Sequence, residues 1–133
     1  MKSVYEGFAP LTTVASLAAS GTHECGLINC RGLKAVTITA RATYNASATV
    51  AVTANVYYSP DGKNYDTVAF DSKELTVSAG NTIQASKRIL TPDTGWLKII
   101  LSNGDTSYAA TNLRAWASVI YQFQTEKQTE AST

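Results

Sequence analysis

Over residues 34–44 the chain alternates, with Val36, Ile38, Ala40, Ala42 and Tyr44 on one parity and Thr37, Thr39, Arg41 and Thr43 on the other. A period of two is that of a strand with one face buried and one face wet. After a short break at Asn45, Ala46 and Ser47 the pattern resumes: Val50, Val52, Ala54, Val56 and Tyr58 share one face, and Thr53, Asn55 and Ser59 share the other. Two long antiparallel strands follow. Ser59-Pro60-Asp61-Gly62 then reads as a structural turn, because Pro60 presets φ for the second position of a type I turn and Gly62 suits the fourth.

Short strands are expected over residues 12–18 and 25–30, joined by a turn at Ser20-Gly21-Thr22, and over 64–70, extended past a bend by 72–77. Ala79-Gly80-Asn81 marks a reversal, and a weakly alternating strand over 82–90 ends at Thr91-Pro92-Asp93-Thr94-Gly95. The last strands fall over 96–101 and 113–123, linked through Ser102-Asn103-Gly104-Asp105-Thr106. Turn signals every 8–12 residues or so, with no sustained helical period, predict an all-β chain. The expected architecture is a single antiparallel β-sandwich over residues 12–123, jelly-roll or immunoglobulin-like. Residues 1–11 carry Val4, Tyr5, Phe8 and Leu11 around Gly7 and Pro10 with no clean period, and read as an extended arm. Residues 124–133 are almost wholly polar and read as a tail.

Two of the strands carry apolar residues on both faces. Leu113, Ala115, Ala117, Val119, Tyr121 and Phe123 make a core face, yet Trp116 and Ile120 stand on the opposite parity. Trp96 and Ile100 likewise oppose Leu97, Ile99 and Leu101. One reading is a bulge or sandwich edge that packs these residues internally. The other is an oligomer or capsid interface formed by Trp96, Ile100, Trp116 and Ile120 with the arm residues Val4, Tyr5, Phe8 and Leu11, since aromatic side chains are enriched at such contacts.

Composition narrows the functional classes. At 133 residues the chain holds one domain with an adequate core. Charged residues are only 16% of it and the formal net charge is +1, so neither nucleic acid nor an anionic membrane surface has an electrostatic footprint. No apolar run approaches a membrane span, and the opening residues lack the unbroken apolar stretch of a secretory signal. The expectation is a protein that stays in the cytoplasm where it is made.

Candidate chemistry is sparse. His23 is the single histidine and sits beside Glu24 in a predicted turn, no Gly-x-Ser-x-Gly elbow accompanies Ser20, Ser47 or Ser118, and the expectation is no enzyme and no cofactor. Asp61, Asn64, Asp66 and Asp71 cluster near one turn, but their spacing fails the EF-hand loop and turn chemistry explains them more simply. Cys25 and Cys30 on one extended strand would lie five steps of about 3.3 Å apart on opposite faces, which favours buried free thiols over a bridge. Asn45-Ala46-Ser47 matches a glycosylation sequon but reads as a turn. Tyr57, Tyr58, Tyr65 and Trp96 are candidates for a sugar-stacking platform, against the commoner use of aromatics as core or interface.

The stretch Val56-Tyr57-Tyr58-Ser59-Pro60-Asp61-Gly62-Lys63-Asn64-Tyr65-Asp66-Thr67, followed by Gly95-Trp96-Leu97-Lys98-Ile99 and Ser102-Asn103-Gly104-Asp105, resembles small β-sandwich proteins of virions. Head decoration and tail-associated proteins of tailed phages are the group it is similar to. The resemblance rests on a hairpin motif and implies no catalytic residue. It implies a homo-oligomeric structural protein made in the host cytoplasm and assembled into the virion, partnered by itself and by a major capsid or tail protein. The alternatives are a carbohydrate-binding adsorption module, or an extracellular filament subunit joined by strand addition.

Overall fold

The computed structural model describes residues 4–92 and 94–122, with side chains over 13–92 and 94–121. It is all-β, with no helix among those residues. In chain order the strands are β1 (Val4–Leu17), β2 (Thr22–Asn29), β3 (Leu33–Thr43), β4 (Val52–Ser59), β5 (Asp71–Leu75), β6 (Thr82–Leu90), β7 (Trp96–Asn103) and β8 (Ala110–Gln122). Two four-stranded sheets form, in the orders β1-β8-β3-β6 and β2-β7-β4-β5, with every pairing antiparallel.

The topology has a simple origin. Pairs β1·β8, β2·β7, β3·β6 and β4·β5 are those of one long antiparallel ribbon folded at the β4–β5 connection, and β3·β8 and β4·β7 are the contacts made when that ribbon rolls up. This is a jelly roll, which decides between the two expected sandwich types. The two long strands read from the alternation therefore do not pair with each other. The Asn45–Ala48 turn, closed by the Ala48 N–H donating to Asn45 C=O at 3.0 Å, carries the chain from one sheet to the other.

The inward faces are those the alternation selects. Val36, Ile38, Ala40 and Ala42 of β3 meet Val52, Ala54 and Val56 of β4, Leu97, Ile99 and Leu101 of β7, and Leu113, Ala115 and Ala117 of β8 in one buried core. Each large aliphatic side chain fully buried there contributes about 1.5–3 kcal/mol. Tyr44 clamps the end of β3 to the other sheet: its hydroxyl accepts the Val52 N–H at 2.7 Å and donates to the Leu75 carbonyl, and burial raises its pKa.

Cys25 and Cys30 are free and both buried. Their spacing should put them on opposite faces, but the β2–β7 register slips between Glu24 and Gly26, and that bulge turns Cys25 inward alongside Ile28 and Cys30. Burial pushes both thiols up to about 11, so they stay protonated and inert at neutral pH.

Several boundaries differ from expectation, among them the start of β2 at Thr22 rather than Cys25. The segment read as an arm is, from Val4, the first half of β1, whose backbone pairs from Val4↔Gln122 to Pro10↔Trp116. Aperiodic composition hid it because that stretch includes Gly7 and Pro10 and the register slips between Pro10 and Thr12. Residues 64–70 form no strand; they hang from β4 by the Asp66 N–H on Tyr58 C=O and the Phe70 N–H on Val56 C=O, with Val68 exposed and the Phe70 ring part-exposed beside Tyr58. Strand β8 starts at Ala110 rather than Leu113, for a reason bound up with the site described next.

Candidate functional site

The outer face of the β1-β8-β3-β6 sheet is built by the polar parity of the strands that make the core. Cross-strand rows run Thr37 with Arg88 and Ser118, Thr39 with Ser86 and Trp116, and Arg41 with Gln84 and Arg114. Much of this face satisfies itself. Thr39 and Ser86 hydroxyls bond at 2.7 Å, Thr43 and Thr82 hydroxyls at 2.7 Å, and Arg41 Nε donates to Gln84 Oε1 at 3.1 Å. The Arg41 guanidinium also lies over the Trp116 ring, 5.2 Å from its centre, so Trp116 fixes the cation from below.

Between Arg41↔Arg114 and Thr43↔Thr111, strand β8 spends Asn112 and Leu113 against the single residue Ala42 of β3. Asn112 takes φ 50°, in the left-handed region that a β-strand residue rarely adopts. At this bulge Leu113 stays in the core and Asn112 faces outward, beside a cleft of about 550 Å³ in the sheet surface. Thr13, Val14, Ala15, Arg41, Thr43, Thr82, Asn112 and Arg114 line it. The early start of β8 follows from Ala110 and Thr111 pairing with Leu17 and Ser16 of β1, and Thr111 with Thr43 of β3, although their sequence carries no alternation.

Arg41 and Arg114 stand directly opposite each other on this face, and like charges at that position destabilise a sheet. The ion pairs among the described residues lie elsewhere, Lys87 with Asp71 at 2.8 Å and Lys98 with Glu24 at 3.9 Å, so neither arginine has a carboxylate there.

At the other end of the same face the row Leu90, Ala35, Ile120 is apolar. Ala35 is buried between its two neighbours, Ile120 is half-buried, and Leu90 is 71% exposed.

The residues expected to form one interface divide between the two sides of the sandwich. Trp116 and Ile120 face outward from β8, while Trp96 and Ile100 face outward from β7 in the other sheet, and all four are half-buried. The side chains of Val4, Tyr5, Phe8 and Leu11 lie outside the described ones; their backbones belong to β1. Of the proposed sugar platform, Tyr57 and Trp96 face outward from adjacent strands of the β2-β7-β4-β5 sheet, whereas Tyr58 has the core parity. Tyr58 packs against the core beside Phe70, Lys98 Nζ sits 4.2 Å from the centre of the Tyr65 ring, and Gly62 lies on the Trp96 indole. His23 is half-buried within β2, opposite Leu101, rather than in a turn.

Two carboxylates are consumed by the fold. Asp61 accepts the N–H groups of Asn64 and Lys63, the Asn64 amide and the Ser59 hydroxyl, which hold its carboxyl well below the usual range. Ser59 Oγ in turn accepts the Gly62 N–H at 2.9 Å, and Gly62 takes φ 79°. Asp105 accepts from Thr49, Ser107, Tyr108 and Val50 N–H groups, with the same direction of shift. Beside it the buried Asn103 amide donates to the carbonyls of Leu17, Ala18 and Tyr108. Among the described residues no group of three His, Cys, Asp or Glu is placed to hold a metal ion.

No protein-family model matches the chain, and no curated protein matches it in sequence. Solved structures share its fold. The VP2 subviral particle protein of infectious bursal disease virus matches 90% of this chain at 11% identity with a TM-score of 0.54. The PBSX exported protein XepA matches 96% at 14% identity and 0.59, and the CBM22-1–GH10 modules of endo-1,4-β-D-xylanase 10B from Clostridium thermocellum, complexed with xylohexaose, match 96% at 12% and 0.54. The chain spans 33%, 41% and 27% of those proteins respectively. At such identities the likeness establishes the fold alone, a fold shared by a viral particle protein, an exported protein and the modules of a xylanase.

Proposed function

We propose that this chain is a structural, non-catalytic component of a virus particle, and within that class a capsid decoration protein that contacts copies of itself and a major capsid protein. The observation that carries this reading is the apolar row Leu90, Ala35, Ile120 on the outer face of the β1-β8-β3-β6 sheet, with Trp116 nearby. An aliphatic side chain as exposed as Leu90, in one row with buried Ala35 and half-buried Ile120, marks a contact surface rather than a wet one. A charged fraction of 16%, the hairpin resemblance to virion proteins and the fold shared with the VP2 protein support it. The localisation that follows is the virion.

Sedimentation velocity of the purified full-length protein over a wide concentration range, in buffer free of saccharide, tests the reading. The expected result is a discrete multi-copy species. A monomer at every concentration would overturn it and favour a lone binding module.

A further inference from the structure

We propose that the cleft over the β8 bulge is a binding site for an acidic saccharide, one that presents a uronate-type carboxylate among ring hydroxyls. It is distinct from the apolar row on which the assembly reading rests. The argument starts from charge. Arg41 and Arg114 are placed side by side on adjacent strands with no carboxylate among the described residues to offset them. Their planar guanidinium groups match a carboxylate in bidentate fashion, and Arg41 is already oriented by Gln84 and Trp116, so little freedom is lost when it binds.

The lining then selects among anions. Around the two arginines stand the hydroxyls of Thr13, Thr43 and Thr82 and the amide of Asn112, with only Val14 and Ala15 apolar. Such a rim suits a ligand rich in hydroxyl groups and offers little to an acidic peptide, whose neighbouring side chains need apolar cover. The volume, about 550 Å³, lies within the range of about 300–1,000 Å³ typical of small-ligand clefts. Asn112 stands on the rim with its backbone held at φ 50°, and strain of that kind persists where surrounding structure enforces it.

Binding of a galacturonate oligomer to the full chain, read by calorimetry and by Trp116-sensitive fluorescence, tests the proposal against the same oligomer with its carboxyls reduced and against inorganic phosphate. The galacturonate oligomer should bind, the reduced one should not, and phosphate should compete only weakly. Arg41→Gln and Arg114→Gln should each weaken binding about tenfold or more. Asn112→Gly, which relieves the backbone while removing the amide, should weaken binding without loss of melting temperature. Absence of binding, equal binding of the reduced oligomer, phosphate binding as tightly as the oligomer, or full affinity in the double arginine variant would overturn the proposal. Multi-copy assembly without saccharide is the separate test of the structural reading.

Discussion

Two polar clusters of this jelly roll, one an amide and a carboxylate and the other a pair of guanidinium groups, do opposite things. In the knot around Asn103 and Asp105 the side-chain oxygens and nitrogens that the fold buries are matched to backbone partners in three connections, β1–β2, β3–β4 and β7–β8. In the cleft around Arg41 and Arg114 the strands bring two cations together and leave them facing outward. The first cluster closes hydrogen bonds on itself and so holds loops in place. The second engages Arg41 Nε with Gln84 but places two guanidinium groups side by side, which costs a little stability and leaves them available for a ligand.

Removing a member of the knot should have the largest effect. Asn103→Ala strands the carbonyls of Leu17, Ala18 and Tyr108 and the Asp105 N–H in a buried setting, and should cost about 2–4 kcal/mol in urea unfolding. Binding at the cleft should persist in whatever fraction remains folded. A loss below about 1 kcal/mol would mean that water replaces the amide and that the knot is not closed.

The Ser59–Asn64 turn offers a second break. Gly62 has φ 79°, and a Cβ there would come within 2.9 Å of Trp96 Nε1. Gly62→Val combines left-handed strain with displacement of the indole and should destabilise by about 2 kcal/mol. Gly32→Ala has a similar φ of 75° with nothing within 4 Å, so it should cost only about 1 kcal/mol. Equal melting temperatures for the two variants would remove the Trp96 contact from the account.

Acid sharpens the contrast in a smaller way. Asp105 is held below its ordinary pKa by the Thr49 N–H first and then by Ser107, Tyr108 and Val50. A depressed folded pKa contributes stability that is present above the unfolded value, about 3.9, and is lost as pH falls through the folded value. Melting temperature should therefore fall below about pH 4, and Asp105→Asn should flatten part of that fall while lowering stability at neutral pH. Asp61 and Asp71, shifted in the same direction, keep the remaining slope.

The smallest effect belongs to the cleft. Arg114→Gln relieves the like-charge pair with Arg41 and should change stability by less than about 0.5 kcal/mol, in the stabilising direction if in either. A clear destabilisation would show that Arg114 is part of the scaffold.

Much of the scaffold was legible in the residues. Alternation named the core faces of β3, β4, β7 and β8, and Gly62, Gly80 and Gly95, each at positive φ, stand where the turn signals placed reversals. Pairing was not legible, because alternation specifies which face is buried and says nothing about which sheet a strand joins; β3 and β4 look like one hairpin and belong to different sheets. Bulges were the other blind spot. Cys25, and Ala110 with Thr111, change parity without any residue type that announces it, and the cleft lies where β8 slips by one residue against β3. The four apolar residues singled out on β7 and β8 do face outward, but their division between opposite sides of the sandwich needs the topology.

The claim that the β1-β8-β3-β6 face is where copies of this protein meet is tested most directly by sedimentation of Leu90→Glu beside the wild type. Leu90 is 71% exposed in the single chain, so the substitution should leave circular dichroism and melting of the monomer unchanged. The account predicts that the wild type sediments as a multi-copy species and that L90E sediments as a folded monomer. Retention of the wild-type mass by L90E would contradict it and move the contact to another surface.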